Sequence, residues 1–271
     1  SGSAKGRYFL EHVNLFNCRQ ILEDKNFKVI KNAFLMDVTT VSNKDSLSMF
    51  KELKFVLAKI APVILLTNDK LTWSQSSFEI NFPIIVVKKS LFDANIKTLD
   101  INIENDFKKS LSTQNIIGFL KGRKSKYIVI SAHYDHLGMM GSTVFPGAND
   151  NASGVSLLFN LAKYYSKKTN KYNMLFICFG AEEIGLKGSK FFNDFPLIKL
   201  KKIKLVLNLD IVGTGADGIA IVNALEQKKY AKKIGAINKD ISAFEKIKIR
   251  GQAPNSDHYW FSVNNAVSYT H

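Results

Sequence analysis

The stretch YIVISAH, residues 127–133, reads as a buried strand that ends in a histidine. Two later stretches follow the same pattern, MLFICF (174–179) before Glu182 and Glu183, and LVLNL (205–209) before Asp210. Between the first two, apolar residues recur at helical spacing over residues 152–165. Strands that alternate with helices predict an α/β sheet with a substantial parallel part, whose ligands bind beyond the carboxyl ends of the strands. We therefore expect these polar residues to converge at one edge of the sheet.

Composition indicates a globular chain with enough apolar residues for a sizeable core, since 46% of its 271 residues are hydrophobic. No apolar run reaches the about 18–20 residues of a membrane-spanning helix. The net charge is +15, but the lysines are dispersed and no nucleic-acid-binding motif is found, which favours a solvated basic surface. Two cysteines, Cys18 and Cys178, make no disulfide framework.

The first part of the chain, from about Lys28 to Leu99, alternates strand and helix patterns without a cluster of ligand-type side chains. The predicted strands are Asn32–Val38, Pro62–Leu66 and Pro83–Val87, and Asp45 is the predicted cap of a helix that reaches about Ile60. This part is predicted to be an accessory module without chemistry of its own.

His133 is followed two residues later by Asp135. A metal-ligating imidazole is usually fixed by an acid or a carbonyl on its other nitrogen, and Asp135 is suitably placed. A turn or a buried structural histidine is the alternative.

Asp150 lies in PGANDNASG, residues 146–154, a loop of small residues before the predicted helix. A turn with a helix cap is one interpretation. In the other, the glycines let the backbone approach a metal pair and the two oxygens of Asp150 bridge both ions.

Glu182 and Glu183 are adjacent acids directly after an apolar run, and they repel each other unless a cation offsets their charge. One carboxylate can bind a metal while the other takes a proton from the nearby water. Solvated loop acids are the alternative.

Asp210 ends the apolar segment NLD, and His258 ends SDH. A carboxylate after so apolar a segment needs a partner. By themselves, Asp210 is equally compatible with a helix cap or salt bridge, and His258 with a structural or exposed histidine.

Histidine and carboxylate donors without thiolate suit Zn²⁺, with Co²⁺ or Mn²⁺ as substitutes, in a two-metal site with ions about 3.5–4 Å apart. Five segments in this order resemble the M28 family of zinc aminopeptidases over roughly Asn115 to the C-terminus: HYDHLG (133–138), GANDNASG (147–154), EEIGLKGS (182–189), NLD (208–210) and SDH (256–258).

The resemblance implies two zinc ions per chain and a role for each matched residue. His133 and Asp210 would bind one zinc, Glu183 and His258 the other, and Asp150 would bridge them. Glu182 would be the general base, and Asp135 would orient His133.

The resemblance also implies a three-layer αβα sandwich with a central mixed, largely parallel sheet, plus a smaller α/β domain. Residues 28–105 are similar to a protease-associated (PA) domain, with 1–27 as the N-terminal part of the catalytic domain. Residues 106–271 would form the rest, C-terminally incomplete because family members usually continue past the SDH segment. The expected partner is a peptide with a free N-terminus rather than nucleic acid, and the expected location is periplasmic or secreted.

Three alternatives stay open at this point. The fold also occurs in non-catalytic binding modules, and a glutaminyl-cyclase-like acyl transferase resembles it but uses a single zinc. Carboxypeptidase or dipeptidase activity is equally compatible with the same metal centre.

Overall fold

The computed structural model describes residues 2–15, 17–23, 31–71, 78–215, 218–264 and 268–270. The chain forms two compact units, Ser1–Leu111 and Ser112–His271.

The first unit is built on a five-stranded sheet with the strand order β4-β3-β2-β1-β5. Only β5 runs antiparallel to its neighbour. Its elements are β1 (Ala4–Val13), α1 (Cys18–Glu23), β2 (Asn32–Asp37), α2 (Lys44–Leu57), β3 (Val63–Thr67), β4 (Ile84–Lys88) and β5 (Thr98–Ile103).

The strand β2 is buried on both faces, as expected for a central strand of a parallel sheet. Phe34 and Met36 pack into one core cluster with Phe50 of α2, whereas Leu35 faces a second cluster. The helix α2 is capped by Asn43, whose side chain accepts the N–H groups of Asp45 and Ser46. The predicted cap, Asp45, is instead the second residue of the helix.

The strand β1 corrects the predicted division of the chain. The sequence predicts residues 1–27 as the N-terminal part of the catalytic domain, but β1 pairs parallel with β2 and antiparallel with β5 within the first sheet. The physical reason for this pairing is that Ala4, Tyr8 and Val13 of β1 are buried in the cores of the first unit. The identity of the unit as a protease-associated domain stays a prediction.

The second unit is built on a five-stranded sheet with the order β14-β11-β7-β10-β6, in which β6 alone is antiparallel to its neighbour. Its strands are β6 (Ile116–Leu120), β7 (Lys124–His133), β8 (Gly138–Met140), β9 (Thr143–Phe145), β10 (Tyr172–Phe179), β11 (Ile203–Asn208), β12 (Ile219–Ile221), β13 (Ile247–Ile249) and β14 (Ser268–Thr270). Its helices are α3 (Gly154–Ser166), α4 (Lys187–Asp194), α5 (Lys228–Ile241) and α6 (His258–Val263).

Helices cover both faces of this sheet. On one face, Leu158 of α3 packs with Ile130 of β7 and Phe176 of β10. On the other, Phe192 of α4 and Phe261 of α6 pack with strand residues of β7, β10 and β11. The three layers confirm the predicted αβα sandwich with a mixed, largely parallel sheet. Within the described ranges, no helix combines the length and the hydropathy needed to cross a membrane.

Candidate metal centre

The central strands of the second sheet place the predicted residues at one edge. His133 is the last residue of β7, and its register partner on β10 is Phe179, three residues before Glu182. Asp210 follows β11 by two residues. Since these strands are parallel, their carboxyl ends meet, and the structure brings the three side chains together.

The first donor group consists of His133, Glu182 and Asp210, whose ligand-type atoms all lie within 4.8 Å of one another. His133 Nε2 is 3.4 Å from Asp210 Oδ1 and 3.2 Å from Asp150 Oδ1. Two donors at about 2.0–2.2 Å from one tetrahedral zinc are roughly 3.3–3.5 Å apart. These two separations therefore match those of ligands that share an ion.

The second donor group consists of His136, Asp150 and Glu183. Because Asp150 also contacts His133 of the first group, it lies between the two groups, where a bridging carboxylate belongs. His136 was not among the predicted site residues. Its signal in the sequence is its position three residues after His133, in HYDH.

The loop before α3 holds Asp150 through its neighbour Asn151. The side chain of Asn151 donates to the Leu209 carbonyl at 2.9 Å and accepts the N–H groups of Gly154 and Ile211. A Cβ at Gly154 would lie 2.4 Å from the Leu209 carbonyl oxygen, so this close approach requires glycine. The loop is thereby fastened to the segment that carries Asp210.

Asp135 contacts both His133 and the turn that carries the two glutamates. Its carboxylate oxygens accept the backbone N–H groups of Glu182 and Glu183, each at 3.1 Å. His133 Nδ1 lies 3.1 Å from the carbonyl oxygen of Asp135 but 3.9 Å from its carboxylate. Asp135 thus steadies His133 through its backbone, and its side chain fixes the turn that carries the two glutamates.

A buried chain of hydrogen bonds lies beneath the centre. Ser131 Oγ donates to Asn208 Oδ1 at 2.7 Å, and Asn208 Nδ2 donates to Ser256 Oγ at 2.7 Å. All three residues are fully buried. Each of the three lies two residues before a predicted site residue, so these hydrogen bonds connect the segments that carry His133, Asp210 and His258.

His258, a predicted ligand of the second zinc, is in neither donor group formed by the described residues. It is fully buried at the start of α6, and burial lowers its pKa to about 4 against the opposing charge of Asp210. The neighbouring Asp257 is also fully buried, and burial raises the pKa of its carboxyl to about 7. His258 as a ligand stays a prediction.

Charge is concentrated strongly around His133. Burial by itself lowers the pKa of this imidazole, but hydrogen bonds to Asp150 and Asp210 and the charge of Glu182 outweigh burial and raise the pKa to about 11. Burial, together with nearby acids, raises the pKa of Glu182 to about 8. In the metal-free protein, a proton on His133 thus offsets the negative charge of the carboxylates, as a bound metal cation would.

The donor set fits zinc. It contains two imidazoles, four carboxylates and no thiolate, and it is arranged as two groups with one carboxylate between them.

Comparisons with known proteins agree with this fold. Aminopeptidase YwaD of Bacillus subtilis (strain 168) is 28% identical over 231 residues, which are 81% of this chain and 50% of that protein. The crystal structure of a zinc aminopeptidase from Bacillus subtilis superposes with a TM-score of 0.67 and 23% identity, covering 98% of this chain and 64% of that one. A glutaminyl cyclase from an Acidobacteriales bacterium shares the fold over 58% of this chain and 57% of its own, with a TM-score of 0.50 and 22% identity. The chain spans half the length of its Bacillus relative.

The αβα sandwich is the fold that this chain shares with the Bacillus zinc aminopeptidase, and histidine and carboxylate donors lie at the ends of its strands. Residues 115–271 match peptidase family M28, and the chain belongs to that family.

Proposed function

We propose that this protein is a zinc-dependent aminopeptidase that hydrolyses the peptide bond after a free N-terminal residue. The observation that carries the proposal is the pair of donor groups at the strand ends. Asp150 belongs to the second group and contacts His133 of the first, and Glu182 belongs to the first group. Membership of a peptidase family gives the reaction class.

The proposed ligands are those expected from the sequence, of which all but His258 lie in the two donor groups. His133 and Asp210 would hold one zinc, Glu183 and His258 the other, and Asp150 would be shared by both, with Co²⁺ or Mn²⁺ as substitutes. When bound, such ions polarise a carbonyl and lower the pKa of nearby water toward about 7.

Glu182 performs the proton transfers. Its carboxyl lies within 4.8 Å of the donor atoms of His133 and Asp210, so a water between them is within its reach. Glu182 takes a proton from this water as it attacks the scissile carbonyl and returns the proton to the leaving amine. Asp135 holds the Glu182 backbone by a hydrogen bond and limits its movement during both transfers.

The number of donor groups favours a peptidase over the single-zinc cyclase. A cyclase of that kind needs one set of ligands, whereas here the carboxylates of Glu183 and Asp150 lie together in a second group beside the first. A binding module on the same fold would have no use for a base beside the metals, and the carboxyl group of Glu182 within 4.8 Å of the donor atoms of His133 and Asp210 favours an enzyme.

The test is release of the N-terminal residue from unblocked dipeptides and aminoacyl-anilides by zinc-reconstituted protein. Glu182→Gln removes the base with little change in shape, and Glu245→Gln, at an exposed position of the same unit, is the matched control. We expect the first variant to lose at least 100-fold in kcat with its zinc retained, because general base catalysis contributes about 10²–10⁴-fold. The control should keep wild-type turnover.

N-terminal acetylation of the substrate separates the aminopeptidase from carboxypeptidase activity. We expect acetylated peptides to resist cleavage. Equal turnover of blocked and unblocked peptides would contradict the proposal, as would full activity of Glu182→Gln.

A further inference from the structure

His136 makes the shortest contact between side chains of different segments in the candidate metal centre. Its Nδ1 atom lies 2.8 Å from Oε1 of Glu183, and both side chains are mostly buried, with 21% and 16% of their surfaces exposed. A carboxylate that binds a metal is ionised and has no hydrogen to give, so in that state Nδ1 carries the hydrogen and donates it to Glu183.

The length of this contact is typical of a hydrogen bond. The 2.8 Å between His136 Nδ1 and Glu183 Oε1 is the usual length of a charge-assisted N–H···O bond. It is shorter than the roughly 3.3–3.5 Å between two donors on one tetrahedral zinc. His136 is therefore placed as a donor to Glu183.

The loop that carries Asp150 holds the imidazole ring in this position. Gly147 has a φ of 69°, in the left-handed region, and packs directly on His136. A Cβ at Gly147 would lie 3.0 Å from His136 Cγ and 3.1 Å from its Cβ. Glycine thus leaves space for the ring, and the loop limits the ring's movement from that side.

We propose that His136 is a positioning residue for Glu183, which binds one oxygen of the carboxylate through Nδ1–H and presents the other oxygen to the second metal. A carboxylate with one oxygen fixed loses less rotational freedom when it binds an ion, and partners of this kind typically change metal affinity by about 10–100-fold. The proposal rests on the proposed function, because it assigns Glu183 as a ligand.

Three substitutions at one position test it. His136→Ala removes the donor. His136→Asn places an amide nitrogen near the position of Nδ1, and His136→Gln places one near that of Nε2. His12→Ala, at an exposed histidine of the first unit, is the control. Circular dichroism and thermal melting establish that each variant is folded, and zinc binding is measured by calorimetry and by competition with a chelator.

We expect His136→Ala and His136→Gln to bind one of two zinc ions about 10–100-fold more weakly, with the other unchanged, and His136→Asn to recover most of the loss. Unchanged affinity for both ions in His136→Ala would overturn the proposal. So would an equal loss in all three variants, which would make His136 a direct ligand.

The zinc titration is independent of catalysis. A wild-type protein that binds two zinc ions but releases no N-terminal residue would end the proposed function, whereas the order of affinities among the His136 variants would still decide the role of His136.

Discussion

The carboxylate of Asp135 accepts a hydrogen bond from the backbone N–H of Glu182 at 3.1 Å. Its second oxygen does the same for the next residue, Glu183, at the same distance. One side chain therefore sets the backbone of both the proposed base and a proposed metal ligand. The two N–H groups follow the buried strand β10, and a carboxylate that satisfies both of them fixes the direction in which the turn leaves the sheet.

Asp135→Asn is predicted to reduce turnover more than metal binding. The amide replaces one acceptor oxygen with an N–H₂ group, which leaves one backbone N–H without its acceptor at a cost of about 1–3 kcal/mol. We expect kcat to fall about 10–100-fold while the zinc content, measured by atomic emission, stays at the wild-type value. Loss of zinc from the first group instead would mean that the carboxylate acts on His133.

Asn208→Ala is predicted to destabilise the second unit. Asn208 bonds to the hydroxyls of Ser131 and Ser256 in the interior, and its truncation leaves both without that partner. We expect the free energy of unfolding in urea to fall by about 2–5 kcal/mol. Asn160→Ala, on the exposed side of α3, should change it by less than about 0.5 kcal/mol. Equal effects of the two substitutions would refute the role of the buried chain.

Zinc binding is predicted to release protons and to strengthen as the pH rises. The metal-free His133 has a pKa of about 11, so at pH 7 it carries a proton that must leave before Nε2 can bind a metal. Between pH 6 and 8 the affinity should rise by about tenfold per pH unit for each proton displaced. Calorimetric titrations in two buffers of different ionisation enthalpy count the protons. Heats that do not depend on the buffer would contradict this prediction.

His258→Ala is predicted to lower the affinity for one of the two zinc ions. His258 is fully buried at the start of α6, and burial lowers the pKa of its imidazole to about 4, so the ring is neutral at pH 7 and able to bind a metal. Removal of a large buried side chain also typically costs about 2–5 kcal/mol of unfolding free energy. Zinc content is therefore measured at a temperature where circular dichroism reports a folded variant. Retention of both zinc ions there would remove His258 from the proposed ligands.

The residues that sequence predicted best are those fixed by strand periodicity. His133 and Asp210 follow apolar runs directly, and parallel pairing of β7 with β11 brings the ends of those runs together. Once the runs are assigned as neighbouring strands, the proximity of these side chains follows from the sheet geometry.

Contacts that depend on the path of a loop have no comparable periodic pattern in the sequence. His136 lies three residues past the end of its strand, and its approach to Glu183 depends on the left-handed turn at Gly147. The partners of the Asp135 carboxylate are backbone N–H groups, which every residue except proline has, so no residue type indicates them.

Pairing across long sequence separations decided where β1 belongs. The strand carries Lys5, Arg7 and Glu11, so its hydrophobic pattern is weak. Its place follows from hydrogen bonding to β2 and to β5, which begins at Thr98. Local periodicity does not contain that information.

Under the proposed function, two zinc ions make this chain an aminopeptidase. The rate of N-terminal residue release from an unblocked peptide is measured on chelator-treated protein as zinc is added back. We predict no turnover without metal and a rise that is complete near two equivalents of zinc per chain. Full turnover without metal, or at one equivalent with no further binding, would show that the proposed function is wrong.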